Sequence, residues 1–172
     1  GKGGAYSFSG GLHGVGVSVT NALGKRLEAT SYREGSVARL VFEGGDVVEP
    51  LVVRPNNGSA EGDRKTGTSV RVWPDPKYFE SAVLPMGELT HLLRSKAVLM
   101  PGVTVTLTVE KTKEVQTWLY KGGLRDYLQQ TLSAEPVIPL FEGAGFAEAG
   151  HESFAEGEGA AWAVAFTEDG AV

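Results

Sequence analysis

Short runs of alternating hydrophobic and polar residues fill the chain between residues 25 and 54. Three such runs occupy residues 27–33, 37–42 and 47–53. The turn-forming pairs Glu34-Gly35 and Gly44-Gly45 separate them, and short turns between alternating runs are typical of antiparallel hairpins. The pattern therefore predicts a three-stranded antiparallel meander, and a further strand is predicted over residues 69–73.

Apolar residues spaced three and four positions apart, as on one face of a helix, occur in three other segments. These segments are residues 14–23, 86–99 and 124–132. Gly24 follows the first segment and is predicted to end that helix, as glycine does at many helix C-termini. Between the second and third segments, residues 103–109 and 115–120 are predicted to form a hairpin.

The character of the chain changes after Pro136. Residues 144–160 are acidic, rich in Gly and Ala and poor in large apolar side chains, which predicts a long exposed connection. Residues 161–166 alternate again and are predicted to form a strand with no visible partner. We therefore expect the sequence to enter a second structural unit that it does not complete.

Composition narrows the class of protein. The chain has 172 residues, of which 41% are hydrophobic, and a formal net charge of −5. These values predict a globular chain with a core and argue against a protein that coats DNA by charge alone. No run approaches the roughly 18 apolar residues of a membrane helix, and no signal-peptide pattern opens the sequence. Cysteine is absent, which excludes disulfides and cysteine zinc sites and fits a cytoplasmic protein.

Glycine is the compositional outlier, with 24 residues, and it clusters at the start of the chain. The segment GGLHGVG, residues 10–16, precedes the first predicted helix. Glycine lets a backbone approach a ligand closely, and the first amides of a helix lack intrahelical partners, so the combination suits phosphate binding. The segment lacks the lysine of a P-loop and the strand context of a Rossmann fold. A flexible hinge is an equally good interpretation of these residues alone.

Other residues are ambiguous when they are taken one by one. Thr68 begins a predicted strand, where its hydroxyl could contact a purine edge or a water, although an ordinary strand residue is the favoured interpretation. His91 is interpreted as structural. The tryptophans, Trp73, Trp118 and Trp162, are interpreted as core residues of strands. Scattered histidines do not make a metal site.

Two longer motifs give the chain a family resemblance. GGLHGVGVSVTNAL at residues 10–23 and TGTSVRVWPDPKYF at residues 66–79 resemble the ATPase region of bacterial type II DNA topoisomerase B subunits, within the GHKL ATPase superfamily. PDPKYF and SKAVLMPGV are more similar to the topoisomerase IV branch than to the gyrase branch. The resemblance implies an α+β sandwich, with a mostly antiparallel or mixed sheet and helices on one face. Residues 1–123 would be the second half of the ATPase domain, with a lid at residues 1–17, and residues 124–172 the start of a ribosomal S5 domain 2-like transducer domain.

The resemblance also implies site residues, position by position. In the lid that would wrap the triphosphate, the matching residues are Gly11, Leu12, His13, Gly14, Val15, Gly16 and Val17. Lys2 matches a lysine near the phosphates, and Tyr6 matches a tyrosine on the adenine side. Thr68 matches a threonine that reads adenine through water, and Val70 lines the same pocket. Arg39 matches an arginine at the rim, where competitive inhibitors of the family make contact.

The catalytic motifs of the family do not occur in this sequence. The family uses a Glu as general base and a nearby Asn to hold Mg²⁺ in a Glu-x-x-x-Asn motif, and here no Glu has an Asn four residues later. The adenine-binding Asp-x-Gly-x-Gly motif is absent as well. We therefore expect the general base and the Mg²⁺ ligand to lie outside this chain, which alone should not hydrolyse ATP.

The function implied by the resemblance is that of an ATP-operated clamp for DNA strand passage. The expected partners are ATP with Mg²⁺, the topoisomerase IV A subunit in a heterotetramer, DNA through the whole complex, and competitive ATP-site inhibitors. ATP would also dimerise the N-terminal regions of two B subunits, and no membrane partner is expected. The gyrase B subunit, another GHKL ATPase such as a chaperone or mismatch-repair protein, and a non-enzymatic binding module are the alternatives.

Overall fold

The computed structural model describes residues 15–58, 65–81, 83–132, 136, 139–150, 152–153, 157–168 and 170–171. Internal contacts divide the chain into two compact units, Gly1–Val83 and Leu84–Val172. The domain limit predicted between residues 123 and 124 stays a prediction, because a unit of dense contacts and a domain of common descent need not share an edge.

The first unit contains a four-stranded antiparallel sheet preceded by a short helix. Helix α1 spans Gly16–Ala22, and the strands are β1 Gly24–Arg33, β2 Ser36–Glu43, β3 Asp46–Pro55 and β4 Gly67–Pro74. Their order is β3-β2-β1-β4, so the predicted meander is confirmed and the later strand pairs with β1. A 3-10 turn at Pro76–Tyr78 follows β4.

Tight turns fix the register of the meander. Glu34 and Gly35 both have positive φ, at 50° and 70°, which gives the backbone twist that two-residue hairpin turns require. The pairing of β2 with β3 shifts register around Val41, opposite the part of β3 that contains Pro50. Proline has no N–H to donate, and it is tolerated here because β3 is an edge strand.

The two faces of this sheet differ in chemistry. Directly paired residues of antiparallel strands lie on the same face, which groups Leu27 with Phe42 and Val72 on an apolar face. The other face carries Val41 among charged side chains. Leu27 and Val41 are almost completely buried, so the centre of the sheet is packed on both sides.

Helix α1 ends next to Gly24, as predicted, but Gly24 does not end it by adopting the positive φ of a helix-terminating glycine. Helix α1 ends at Ala22, and Gly24 is the first residue of β1. A Cβ at Gly24 would lie 3.1 Å from the Thr20 carbonyl oxygen and 3.4 Å from a Val72 methyl. Glycine lets α1 pack closely on the start of β1, where a Cβ would make tight contacts.

The second unit contains two helices and several two-stranded sheets in its described part. Its elements are α2 Met86–Leu99, β5 Val105–Val109, β6 Glu114–Trp118, α3 Leu124–Thr131, β7 Phe141–Phe146, β8 Gly159–Val164, β9 Phe166–Thr167 and β10 Gly170–Ala171. β5 pairs with β6, as the hairpin pattern predicted. Ala97, Val98 and Tyr120 form the buried centre, with Leu124 and Tyr127 of α3 packed against it.

The exposed connection predicted over residues 144–160 is wrong at both of its ends, where the chain belongs to strands β7 and β8. β7 pairs antiparallel with β8, with Phe146 opposite Gly159, so the strand predicted without a partner has one. One of the two glycines that made β7 unlike a strand has a packing role, because a Cβ at Gly143 would lie 2.5 Å from the Trp162 ring. Trp162 itself is 51% exposed and is not a core residue.

Helix α2 has the bounds that were predicted for it. Its apolar face is only partly covered. Val98 is buried, whereas Leu92 and Leu99 are 54% and 60% exposed. In the described part of the chain, no helix has the length and apolar character needed to cross a membrane.

Candidate functional site

Strand β4 carries two of the predicted nucleotide-binding residues on one face. Thr68 pairs with Ser31 and Val70 pairs with Ala29, so both lie on the apolar face of the sheet. Both side chains are exposed, and the Thr68 hydroxyl makes no hydrogen bond within the described residues. A free hydroxyl at one end of an apolar strip is suited to orient a flat, mostly apolar ligand with a polar edge.

The start of α1 carries three more predicted residues. Gly16 is the first residue of the helix, Val15 precedes it as the N-cap without a side-chain hydrogen bond, and Val17 is 63% exposed. The other end of α1 is tied to the segment after β4, because the Asp75 amide donates to the Leu23 carbonyl over 3.0 Å. The remaining predicted residues of this segment lie outside the described residues: Lys2, Tyr6, Gly11, Leu12, His13 and Gly14.

Arg39 is not brought together with Thr68 and Val70. It pairs with Thr30 of β1, and Thr30 pairs on its other side with Ser69 of β4. Arg39 therefore lies on the charged face of the sheet, opposite to the face that carries Thr68 and Val70. Contact of Arg39 with nucleotide-site inhibitors stays a prediction.

The charged face is organised as an ion-pair cluster of Arg26, Glu28, Arg39, Glu43 and Glu49. Arg26 binds Glu28 through Nε at 2.8 Å and Glu43 through Nη1 at 2.5 Å. Arg39 contacts Glu28 over 3.5 Å and also pairs with Glu49. The cluster crosses β1, β2 and β3, so it ties these strands together. Sequence reasoning missed it, although regularly spaced Arg and Glu residues in alternating strands were a usable signal.

Trp73 extends the cluster onto β4. The guanidinium carbons of Arg26 and Arg71 lie 5.9 and 4.8 Å from the centre of a Trp73 ring, which is cation–π geometry. Trp73 is half-buried, and the arginines cover part of its ring. Its predicted role as a plain core residue is therefore replaced by a role in this charged face.

The hydrogen bond from Arg26 lowers the pKa of the Glu28 carboxyl, and bonds to Glu28 and Glu43 raise the pKa of the Arg26 guanidinium. A carboxyl with a lowered folded-state pKa contributes stability that is present above its unfolded pKa, near 4.5, and is lost as the pH falls through the folded value.

We expect the urea concentration at the midpoint of unfolding to decrease as the pH is lowered from about pH 5 to pH 3, and Glu28→Gln to reduce that decrease. Glu34→Gln, which removes a largely exposed partner of Arg33, is the matched control and should keep the wild-type profile. Equal profiles for both variants and the wild type would contradict the role of Glu28.

The PDPKYF motif forms a capped turn. The Asp75 carboxylate accepts a hydrogen bond from the Lys77 amide over 3.1 Å and pairs with the Lys77 ammonium over 3.0 Å. These bonds lower the pKa of Asp75 and fix the chain as it leaves β4. Together with the hydrogen bond from the Asp75 amide to the Leu23 carbonyl, these bonds connect the turn after β4 to the end of α1.

The described residues do not provide a metal site. Among them, no group of three or more His, Asp or Glu side chains could hold a metal ion. The sheet glutamates Glu28, Glu43 and Glu49 are each paired with an arginine. The described residues therefore assign no ligand to Mg²⁺, and a Mg²⁺ ligand outside this chain stays a prediction.

Two known proteins match about three quarters of this chain in sequence. The B subunit of DNA topoisomerase 4 from Escherichia coli is 46% identical over 134 residues, which cover 78% of this chain and 21% of that protein. The DNA gyrase B subunit of Haloferax volcanii is 41% identical over 133 residues, or 76% of this chain and 20% of that protein. The chain thus spans about a fifth of the length of these relatives. No family model matches the chain.

Solved structures agree with these relatives. The topoisomerase IV ATP-binding domain of Francisella tularensis, in complex with a small-molecule inhibitor, is 38% identical, with a TM-score of 0.60 over 81% of this chain and 41% of that one. The 43K ATPase domain of Thermus thermophilus gyrase B, in complex with an aminocoumarin, is 29% identical, with a TM-score of 0.66 over 78% of this chain and 36% of that one. The resemblance seen in the motifs is confirmed: this chain is homologous to part of the type II topoisomerase B subunits and has an α+β fold of their ATPase domains.

Proposed function

We propose, from this homology, that the chain is a nucleotide-binding part of a type II topoisomerase B subunit of the topoisomerase IV kind. The observation that carries the proposal is the presence of Thr68 and Val70, side by side and exposed, on the apolar face of a strand within the matched motif. The ATP-binding domain of Francisella tularensis topoisomerase IV shares this fold, which supports the same ligand here.

The described residues suggest how a purine would be held. An adenine ring placed against Val70 would cover part of the apolar face of β4 and β1, and the Thr68 hydroxyl could bind its polar edge through a water. The glycine-rich segment over residues 10–16 and the first amides of α1 would then receive the triphosphate. In this proposal backbone amides contact the phosphates, and Lys2 is the lysine expected near them.

Hydrolysis requires groups that the described residues do not supply. The general base and the Mg²⁺ ligand are expected outside this chain, so we assign no catalytic residue to it. In the intact protein, ATP binding would close a clamp by dimerising two B subunits. DNA strand passage would be carried out together with the A subunit.

The gyrase B subunit is the second candidate, because the chain is also 41% identical to the Haloferax volcanii gyrase protein. The two functions differ in the product formed from DNA. Topoisomerase IV activity unlinks catenated circles, whereas gyrase activity introduces negative supercoils into relaxed circles.

The deciding experiment uses the full-length B subunit that contains this chain, together with its cognate A subunit. We expect ATP-dependent decatenation of linked DNA circles, with no net negative supercoiling of a relaxed plasmid. Negative supercoiling would favour gyrase, and the absence of any ATP-dependent change in DNA topology would overturn the proposal.

Thr68→Val is expected to weaken binding of a non-hydrolysable ATP analogue about 3- to 10-fold, the effect of losing one hydrogen bond between uncharged groups. Stability should change by less than about 0.5 kcal/mol, because the side chain is exposed. The matched control is Ser69→Ala, which removes the neighbouring hydroxyl on the opposite face and should leave affinity unchanged. Titration calorimetry on the full-length protein gives the affinity of each variant. Equal affinity losses in the two variants would count against the assigned face.

A further inference from the structure

A cavity of about 280 Å³ lies between α2 and α3, within the unit Leu84–Val172. Its apolar wall consists of Val98, Leu99 and Leu124. Its polar side carries Arg94 and His91. This volume is close to the roughly 300 Å³ at which small-molecule pockets begin.

Arg94 is held in one orientation by two tyrosines. Its Nε donates a hydrogen bond to the Tyr120 hydroxyl over 3.0 Å, and Tyr120 is only 2% exposed. The guanidinium carbon also lies 5.0 Å from the centre of the Tyr127 ring. These contacts use Nε and one face of the guanidinium, so the two Nη groups are left for a further partner. A cation fixed in this way loses little freedom when a ligand binds.

That cation has no carboxylate within the described residues. Arg26, Arg39 and Arg125 each pair with a glutamate, and Arg94 pairs with none that the structure describes. Ser95 is not a competing donor to a ligand, because its hydroxyl donates to the His91 carbonyl over 2.9 Å. The half-buried Arg94 is therefore the main charged group of the cavity.

The apolar wall next to Arg94 is open as well. Leu99 is 60% exposed although it lines the cavity, so a ligand with an apolar tail would cover surface that is now in water. A planar carboxylate matches the two Nη donors of an arginine in bidentate geometry. The exposed apolar wall and the two Nη groups of Arg94 therefore both favour a small molecule that carries a carboxylate and an apolar tail.

We propose that this cavity is a binding site for a small organic carboxylate with a short apolar tail, the carboxylate on Arg94 and the tail against Leu99 and Leu124. The site lies within the unit Leu84–Val172 and does not rest on the proposed nucleotide function.

The test is titration calorimetry of the full-length protein that contains this chain with hexanoate, 1-hexanol and hexylammonium. We expect saturable binding of hexanoate, and binding of the alcohol and the amine at least tenfold weaker, because a charge-assisted pair is worth more than the tail alone. Arg94→Gln should weaken hexanoate binding at least tenfold. Arg125→Gln removes a neighbouring arginine that already has Glu142 as its partner, so this matched control should bind as the wild type does.

A second measurement applies if Arg94→Gln fails to fold. In the wild-type full-length protein, hexanoate should shift the NMR signals of the Arg94 Nε–H and of the Leu99 and Leu124 methyl groups, and hexylammonium should not. The absence of saturable hexanoate binding, equal binding of hexanol, or shifts confined to other residues would each overturn the proposed site.

Discussion

Gly16→Ala is expected to lower ATP affinity at least tenfold while leaving α1 as stable as before, or more stable. Gly16 is the first residue of α1, and a Cβ built there would meet no described atom within 4 Å. Alanine favours a helix over glycine by roughly 0.5–1 kcal/mol, so the substitution does not harm the helix itself. A loss of binding would therefore come from the methyl group entering the space where phosphates approach the backbone.

Gly87→Ala is the matched control for this experiment. Gly87 lies in the first turn of α2, and a Cβ there also meets nothing within 4 Å. The control makes the same chemical change at a helix start that has no proposed ligand. Calorimetry with an ATP analogue and thermal unfolding should be measured for both variants of the full-length protein. Wild-type ATP affinity in Gly16→Ala would remove Gly16 from the proposed phosphate site.

Leu27→Ala is expected to cost about 2–5 kcal/mol in the free energy of unfolding, the largest stability effect that we predict for a single residue. Leu27 is 1% exposed at the centre of the four-stranded sheet, where it pairs with Phe42 and Val72. Removing three carbons there would leave a cavity that regular strands on both sides cannot close.

Leu51→Ala is the control for that substitution, because it removes the same atoms from edge strand β3, where Leu51 is 62% exposed. We expect it to change stability by no more than about 0.5 kcal/mol. Urea unfolding followed by circular dichroism gives both values. A similar cost for the two variants would mean that β3 is covered in the native protein and that the core does not centre on Leu27.

Several elements could be predicted because their signals are local. Turn residues between alternating runs predicted the meander, and Glu34 and Gly35 indeed adopt the positive φ values that such a turn needs. Helix α2 was predicted within its observed bounds, Met86–Leu99, because its apolar spacing and the following Pro-Gly are both contained in a short window. The β7–β8 pair was missed because its strands are separated along the chain and β7 contains two glycines.

The candidate sites likewise contain residues that could be predicted from a local motif and residues that could not. Thr68 and Val70 were found because they lie two residues apart in one recognisable motif. The position of Arg39 on the other face was not predictable, because it depends on the registers of β1 with β2 and with β4. The contact of Arg94 with Tyr120 joins residues 26 positions apart, and neither residue carries a signal in the sequence.

Consecutive residues were enough to identify the family and most of the strands and helices. They also carry the proposal that the glycine-rich segment and Thr68 meet a nucleotide. The tertiary structure was needed to show how strands that are distant in the chain pair, which side chains share a face, and where a cation is left without an anion among the described residues. The reason is physical: propensities and turns act over a few residues, whereas register and burial depend on contacts between segments that are distant in the chain.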